Sequence, residues 1–232
     1  MSLDPSTLRQ SGEPQPTRGN RVFDAIKQAI VQLQLRPGHL LSEAEVARQV
    51  GVSRQPVREA FIKLAEVGLV EVRPQRGTFV KLISKREVEN VRFIREAIEI
   101  AVAEKAAMEA RPEHVAVLRR IIEAQKQIAA QGDHAGFLRL DEAFHEALAR
   151  SAACDHAWRV VESLKAQMDR VRFLSMPDAT PIETLIAQHT AIVDAIEAHS
   201  PHAAEAAVRA HLGEILTSLP RLAAEHPELF AE

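Results

Sequence analysis

Three stretches decide the fold: VGVSRQPVREA (residues 50–60), LAEVGLV (64–70) and RGTFV (76–80). In the first, Gly51 ends one helical segment and Ser53 can cap the next almost at once. Gly68 closes that second segment, and two short β-like runs follow it, at residues 69–72 and 78–82, around a basic turn. Two helices joined by a tight turn and followed by a basic hairpin are the order of a winged helix-turn-helix.

The residues before these stretches complete the unit. An apolar stripe at three- and four-residue steps over residues 22–33 predicts an amphipathic helix. Ser42, with Glu45 three positions on, forms a capping box that opens the next helix. We therefore expect a winged helix-turn-helix domain over residues 20–83. Residues 1–19 are polar with no apolar core, and we expect them to be a disordered tail.

Charge divides the chain at the same place. The net charge is −3, but residues 18–83 hold 11 Lys and Arg against 6 Asp and Glu, whereas residues 84–232 hold 17 against 24. A basic module joined to an acidic one indicates that the first binds a polyanion and the second does something else.

The basic side chains of the front module stand where nucleic-acid contacts are made. Arg54 and Arg58 share one face at the start of the third helix, with Gln55 beside them, and Arg76 and Gly77 lie at the hairpin. The first residues of a recognition helix reach base edges, and the guanidinium matches guanine O6 and N7. Two arginines on a helix are commonly a solvated face, but this position predicts that all five residues contact DNA.

Composition excludes several classes of protein. The chain has nine aromatic residues and no Tyr, which argues against an all-β sandwich. Its one cysteine, Cys154, excludes a disulfide framework and a Cys-rich zinc module. No apolar run reaches the roughly 18 residues of a membrane span. These features predict a mainly α protein of the cytoplasm with no membrane partner.

The second module, residues 84–232, is an almost continuous series of helical stripes. Short links between the stripes predict an antiparallel bundle of about six helices. Their predicted ranges are 85–110, 112–130, 133–150, 155–175, 181–198 and 201–219.

Four polar residues stand on the apolar, inward faces of this bundle: Asp141, His145, His189 and His211. Burying all four side chains in a core without polar partners would destabilise the fold by several kcal/mol. One interpretation is four hydrogen-bonded core residues. The other is a site of three nitrogens and one oxygen for a divalent metal ion, with zinc first and nickel, manganese or iron as alternatives.

Two arginines are candidates for binding a small anion. Arg95 lies on the inward side of its helix, where it can clamp a carboxylate with two hydrogen bonds or pair with Glu99. Arg170, with Arg172, lies near the end of the predicted fourth helix and is the second candidate.

These motifs together resemble the GntR family of bacterial transcriptional regulators, and the second module resembles the helical FCD-type effector domain of its FadR branch. The resemblance rests on the three opening stretches, on FIREAIE at 93–99, on DEAFH at 141–145 and on AVRAHL at 207–212. It implies a homodimer on a palindromic DNA operator, contacted through Arg54, Arg58 and Gly77. Ala44 departs from the family, where many members carry an Arg.

The resemblance also implies a ligand set. In the metal-containing members of the branch an Asp and three His hold a divalent ion, and Asp141, His145, His189 and His211 fill those positions. In the branch that the chain resembles, the effectors are typically small metabolic carboxylic acids or related molecules. We expect a metabolite-controlled repressor rather than an enzyme, because no nucleophile motif or spare general base accompanies the site. A metal-sensing regulator and, behind it, a metalloenzyme are the alternatives, and a purely structural ion is a third possibility.

Overall fold

The computed structural model describes residues 18–176 and 179–231. Over these residues the chain forms a winged helix-turn-helix followed by a helical bundle, which confirms the mainly α fold. The elements of the winged domain are α1 (Arg18–Val31), β1 (Leu40–Leu41), α2 (Glu43–Val50), α3 (Arg54–Glu66), β2 (Val70–Arg73) and β3 (Gly77–Val80). Arg18 and Gly19, expected in the tail, belong to α1; the rest of that predicted tail lies outside the described residues.

The local signals of the helix-turn-helix act as expected at α2. The Ser42 hydroxyl accepts a hydrogen bond from the Glu45 amide at 3.4 Å, and Gly51 ends the helix with φ at +71°. Ser53 occupies the N-cap of α3 without a side-chain cap bond. Gly51 adopts a left-handed backbone conformation, which costs glycine little, and this conformation turns the chain into α3.

The wing is a three-stranded antiparallel sheet in the order β1-β3-β2. Strands β2 and β3 pair from Val70 opposite Val80 to Arg73 opposite Gly77, as the sequence indicates. Strand β1, missed by the sequence patterns, pairs Leu40 with Phe79. A two-residue strand is too short to show alternation, so only its tertiary pairing reveals it.

The bundle contains seven α-helices over the described residues, followed by a short 3₁₀ helix at Pro227–Leu229. The helices are α4 (Lys85–Glu109), α5 (Pro112–Ala129), α6 (His134–Ser151), α7 (Asp155–Leu164), α8 (Ala166–Ser175), α9 (Ile182–Glu197) and α10 (Pro201–Glu225). No helix among the described residues has the length and apolar character needed to cross a bilayer.

Two predicted boundaries in the bundle are wrong. The fourth helix is two helices, interrupted at Lys165, whose buried ammonium pairs with Asp169 at 2.6 Å and with Glu142. The last helix continues past residue 219 through Pro220, which usually disrupts a helix interior. Burial of Leu219 and Leu222 against the domain junction outweighs that local cost.

A small apolar core lies between the two domains. It combines residues of the linker, α4, α8, α10 and the C-terminal segment: Ile83, Val88, Val171, Leu219, Leu222, Leu229 and Phe230. Within it, the Ile83 amide donates to the Leu229 carbonyl at 2.9 Å, and the Ala231 amide donates to the Ile83 carbonyl at 2.8 Å. The C-terminal segment thus pairs with the linker like a short parallel strand.

Candidate metal centre and DNA-binding surface

The four polar residues of the bundle stripes meet at one place. Asp141 and His145 come from α6, His189 from α9 and His211 from α10. One ligand atom from each residue lies within 4.8 Å of the others, and all four side chains are buried. The positions i and i+4 on α6 place two donors on one face, and the antiparallel neighbours bring the other two opposite them.

The donor atoms face a common centre. His145 Nε2 and His211 Nε2 are 3.1 Å apart. Asp141 Oδ1 lies 3.5 Å from His189 Nε2, and Asp141 Oδ2 lies 3.8 Å from His145 Nε2. The three imidazoles therefore all present the same ring nitrogen, Nε2, to the carboxylate and to one another.

The other ring nitrogen of each histidine, Nδ1, is occupied from outside by a side-chain oxygen. The pairs are His145 with Glu99 Oε2 at 2.6 Å, His189 with Gln125 Oε1 at 2.9 Å and His211 with Gln188 Oε1 at 3.1 Å. In a neutral imidazole an oxygen acceptor on Nδ1 requires the proton there, so the amide oxygens leave the Nε2 lone pairs of His189 and His211 free. Outer partners of this kind orient metal-ligating histidines.

The two glutamines are held in the orientation that this assignment needs. Gln125 Nε2 donates to the Leu140 carbonyl at 3.2 Å, so its oxygen is the atom left for His189. Gln188 Nε2 donates to Glu214 Oε2 at 2.9 Å, so its oxygen is left for His211. The contacts of each amide nitrogen thus fix which end faces the histidine.

The protonation states suit a cation. Burial lowers the pKa of His189 to about 3 and lowers the pKa of His211 well below its usual value, so both are neutral at pH 7. Burial alone would raise the pKa of Asp141, but Arg172 and the histidines outweigh it and hold that pKa far below its usual range. Neutral imidazole and ionised carboxylate are the forms that bind metals.

Three imidazole nitrogens and an ionised carboxylate that face one another form a site that suits a positive charge between them. Asp141 Oδ1 and His189 Nε2 have no hydrogen-bond partner among the described residues. Three nitrogens and one oxygen are a donor set for zinc and for other divalent first-row ions. On this chemistry the residues fit a divalent metal ion.

A partly open cavity lies against the cluster and shares His211 with it. Arg95 and Arg172 supply its cationic side, Glu214 its anionic side, and Ser175 and Thr180 its hydroxyls. The remaining lining is apolar: Met168, Met176, Leu185, Leu212 and Ile215. An apolar cavity with a few convergent polar groups is the usual form of a small-molecule site.

The structure pairs Arg95 with Glu99 and also places it on the wall of the cavity. Its Nε donates to Glu99 Oε1 at 2.6 Å, while one terminal nitrogen, Nη2, is buried with no hydrogen-bond partner among the described residues. Arg172, the weaker sequence candidate, is 12% exposed, lines the cavity and forms an ion pair with Asp141 Oδ2.

Arg170, the other predicted effector contact, points elsewhere. Its side chain is fully buried and does not line the cavity. Its Nη1 donates to the Lys81 carbonyl at 2.8 Å and to Gln167 Oε1 at 3.1 Å, at the junction with the winged domain. The structure therefore does not bring Arg170 to the cavity, because α8 turns this side chain toward the linker.

The predicted DNA-contacting residues share an exposed surface. Arg54, Gln55 and Arg58 are all exposed at the start of α3. Both Nε and Nη2 of Arg58 bond the Glu43 carboxylate at 3.1 Å, which holds the guanidinium in place across the turn. Gln55 donates to Glu59 at 3.1 Å.

The tip of the wing is exposed as well, with Arg76 and Gly77 at the end of the hairpin. Gly77 has φ at +108°, and a Cβ there would lie 2.7 Å from Leu40 Cδ1. Glycine is needed for the turn itself, and it also leaves the backbone open to a phosphate.

Comparison with known proteins matches each of the two domains to a known family. The family described as "Bacterial regulatory proteins, gntR family" matches residues 18–80, and the FCD domain family matches residues 90–214. The chain belongs to the GntR family of transcriptional regulators and carries an FCD domain. The FCD match spans more than half of the chain and includes Asp141 and the three histidines of the candidate metal centre.

Similar proteins are named as regulators. The HTH-type transcriptional repressor RspR of Escherichia coli K12 is 39% identical over 226 residues, covering 97% of this chain and 99% of its own length. LutR, an HTH-type transcriptional regulator of Bacillus subtilis, is 32% identical over 204 residues, covering 78% and 92%. This GntR-family chain is accordingly a DNA-binding transcriptional regulator and not an enzyme.

Solved structures share the fold. The E. coli McbR/YncC structure aligns with a TM-score of 0.76 at 20% identity, covering 91% of this chain and all of the other. A GntR transcriptional regulator from Rhodococcus sp. RHA1 aligns with a TM-score of 0.71 at 26% identity, covering 86% and 97%.

The neutral His189 predicts an acid-sensitive metal-free protein. An unfolded histidine takes up a proton near pH 6.5, whereas folded His189 does so only near pH 3. Between these values the unfolded chain binds the additional proton, so falling pH lowers the free energy of unfolding by about 1.4 kcal/mol per pH unit for this one group. Urea unfolding of metal-free protein at several pH values from 6 to 5 measures this change in the free energy of unfolding.

His189→Gln should flatten that pH slope by about the same amount. His202→Gln, which removes an exposed histidine, is the matched control and should keep the wild-type slope. Equal slopes in wild type and His189→Gln would contradict a neutral, buried His189.

Proposed function

We propose that this regulator is a repressor that binds a palindromic operator as a homodimer and is controlled by a small carboxylate bound beside a divalent metal ion in the bundle. The observation that carries the proposal is the arrangement around the three histidines. Each Nδ1 has a side-chain oxygen from outside within 3.1 Å, and each Nε2 faces a buried carboxylate next to an arginine-lined cavity.

Asp141, His145, His189 and His211 would hold the ion, zinc in the first place. A metal ion with four ligands from one side supplies open coordination positions for a carboxylate oxygen. Glu99, Gln125 and Gln188 keep the histidine rings in the ligating orientation.

The cavity side chains supply the remaining recognition of a small acid. The unpaired Nη2 of Arg95 is a buried, charged donor at the cavity wall. A carboxylate there replaces a missing partner, and hydrogen bonds to a charged group contribute about 1.5–3 kcal/mol. The apolar lining excludes water and strengthens that interaction.

The homodimer follows from operator symmetry and finds a candidate surface on α4. A helix-turn-helix dimer reads two half-sites about one helical turn apart, and one recognition helix alone covers only one half-site. Helix α4 leaves Phe93 66% exposed and Met108 62% exposed, with Ile94 beside them. We propose that this apolar face pairs with α4 of a second copy.

Arg58→Ala should lower operator affinity roughly tenfold or more, because the variant loses a preorganised guanidinium at the start of α3. Arg159→Ala removes the same charge from an exposed position of α7 and is the matched control. Fluorescence anisotropy measures both, and stoichiometric titration should give two chains per palindrome. Unchanged affinity in Arg58→Ala would contradict the assigned interface, and one chain per palindrome would contradict the homodimer.

Protein purified without added metal or chelator should carry about one divalent ion per chain by elemental analysis. The double variant His189→Ala, His211→Ala should lose it, because two of four ligands are gone. The variant His156→Ala, His202→Ala removes two exposed histidines and should keep it. No metal in the wild type, even after incubation with zinc, nickel and manganese, would show that the four residues are ordinary polar core residues.

Four measurements of operator affinity separate the proposal from its alternatives. They use metal-free protein, zinc-loaded protein, metal-free protein with a panel of small carboxylates, and zinc-loaded protein with the same panel. The proposal expects that adding a carboxylate to zinc-loaded protein changes operator affinity by about 5–150-fold relative to zinc-loaded protein alone, and that the same carboxylates leave metal-free protein unchanged. A change with zinc that no carboxylate alters further would identify a metal sensor, and no change in any arm would identify a structural ion.

A further inference from the structure

Helix α8 holds the winged domain against the bundle. Ala166, its first residue, is buried in the core of the winged domain. The next residue, Gln167, donates from its amide to the Gly68 carbonyl at 2.5 Å. One turn later, Arg170 donates to the Lys81 carbonyl at 2.8 Å. These two side chains seat the end of α3 and the start of the linker on the bundle, and we call them the α8 seat.

The two side chains of the α8 seat also bond each other. The Gln167 oxygen accepts from Arg170 Nη1 at 3.1 Å, while its nitrogen serves Gly68. Loss of one member therefore releases the other, and the seat acts as a unit.

The same helix carries a residue of the metal centre. Arg172, two residues beyond Arg170, forms an ion pair with Asp141 and lines the cavity. From Gln167 to Arg172 the helix rises only about 7.5 Å. One short helix thus contacts Asp141 of the candidate metal centre near one end and the DNA-binding domain at the other.

The hydrogen bonding of Arg170 in the α8 seat is incomplete. Arg170 is fully buried, yet its Nε and Nη2 have no hydrogen-bond partner among the described residues, and burial lowers the pKa of this guanidinium to about 10. A buried charge with incomplete partners is costly. A small displacement that gives Arg170 better partners or water therefore offsets the loss of its bond to Lys81.

We propose that α8 couples the metal and effector site to the DNA-binding domain. Gln167 and Arg170 are positioning residues that set the orientation of the winged domain, and the Asp141–Arg172 ion pair sets the position of the seat. This inference rests on the proposed function only where it names a metal ion and a carboxylate as the ligands of the site. The α8 seat and the Asp141–Arg172 ion pair do not depend on it.

The ion pair is the part of α8 that ligands change. A cation among the histidines competes with Arg172 for Asp141, and an anion in the cavity competes with Asp141 for Arg172. Either event weakens the bond that fixes α8 on α6. Because a packed helix moves as a body, the shift at Arg172 reaches Gln167 and Arg170 and changes their hold on the winged domain.

Hydrogen exchange on the full chain without metal tests this coupling. Arg170→Met removes the donor to Lys81, and Arg172→Met removes the ion pair with Asp141. We expect amides of residues 68–83, which include the Lys81 amide bonded to Leu69, to exchange about fivefold faster or more in both variants. Arg159→Met, of equal charge change on exposed α7, should match the wild type.

Peptides from α5 and α9 serve as the internal reference, because wild-type exchange there shows that the bundle is intact. If Arg170→Met fails to fold, Gln167→Glu replaces it, since it removes the donor to Gly68 at nearly constant size. Wild-type exchange of residues 68–83 in the Arg170 or Gln167 variant would overturn the seat. Faster exchange in those variants but not in Arg172→Met would overturn the coupling.

Zinc loading separates this inference from the proposed function. With zinc bound, the wild type should change exchange at residues 68–83, and Arg172→Met should not respond. If the wild type binds zinc without a change at residues 68–83, the coupling is wrong while the metal site stands. If zinc does not bind but Arg172→Met still releases residues 68–83, the metal proposal is wrong while α8 remains the coupling element.

Discussion

The burial of one carboxylate organises the second domain. Asp141 is wholly inaccessible to water, and an ionised carboxyl in such a place persists only beside positive charge or hydrogen-bond donors. Arg172 of α8 meets one side of it, and the Nε2 atoms of His145 and His189 approach the other. Helices α6, α8 and α9 are therefore held in register by a single charge, and whatever alters its partners acts on all three.

Much of this arrangement is readable from the sequence because it follows helical period. Asp141, His145, His189 and His211 each interrupt an apolar stripe, so their inward direction is a local property of their helices. Their outer partners are not readable in that way. Gln125 and Gln188 are ordinary helix residues until the fold brings each against a histidine, although Gln125 does extend the buried stripe of Leu118 and Ile122.

The predictions that differ from the structure have a common origin in tertiary contacts. Arg170 and Arg172 look equivalent along the chain, but a 200° turn of helix separates them, so one faces the linker and the other the cavity. The break at Lys165 likewise has no glycine or proline to announce it. It lies where the buried ammonium of Lys165 meets Glu142 of α6, a contact that no local pattern encodes, as well as Asp169 one turn further on.

The strand-like pairing of Ile83 with the segment after α10 has a consequence for synthesis. Domains fold in order as they leave the ribosome, so the winged domain can form its own core first. The backbone of Ile83 in the linker, however, pairs with residues 229–231, some 146 positions later in the chain. A nascent chain can therefore hold a folded winged domain whose attachment to the bundle is incomplete until residues 229–231 have emerged.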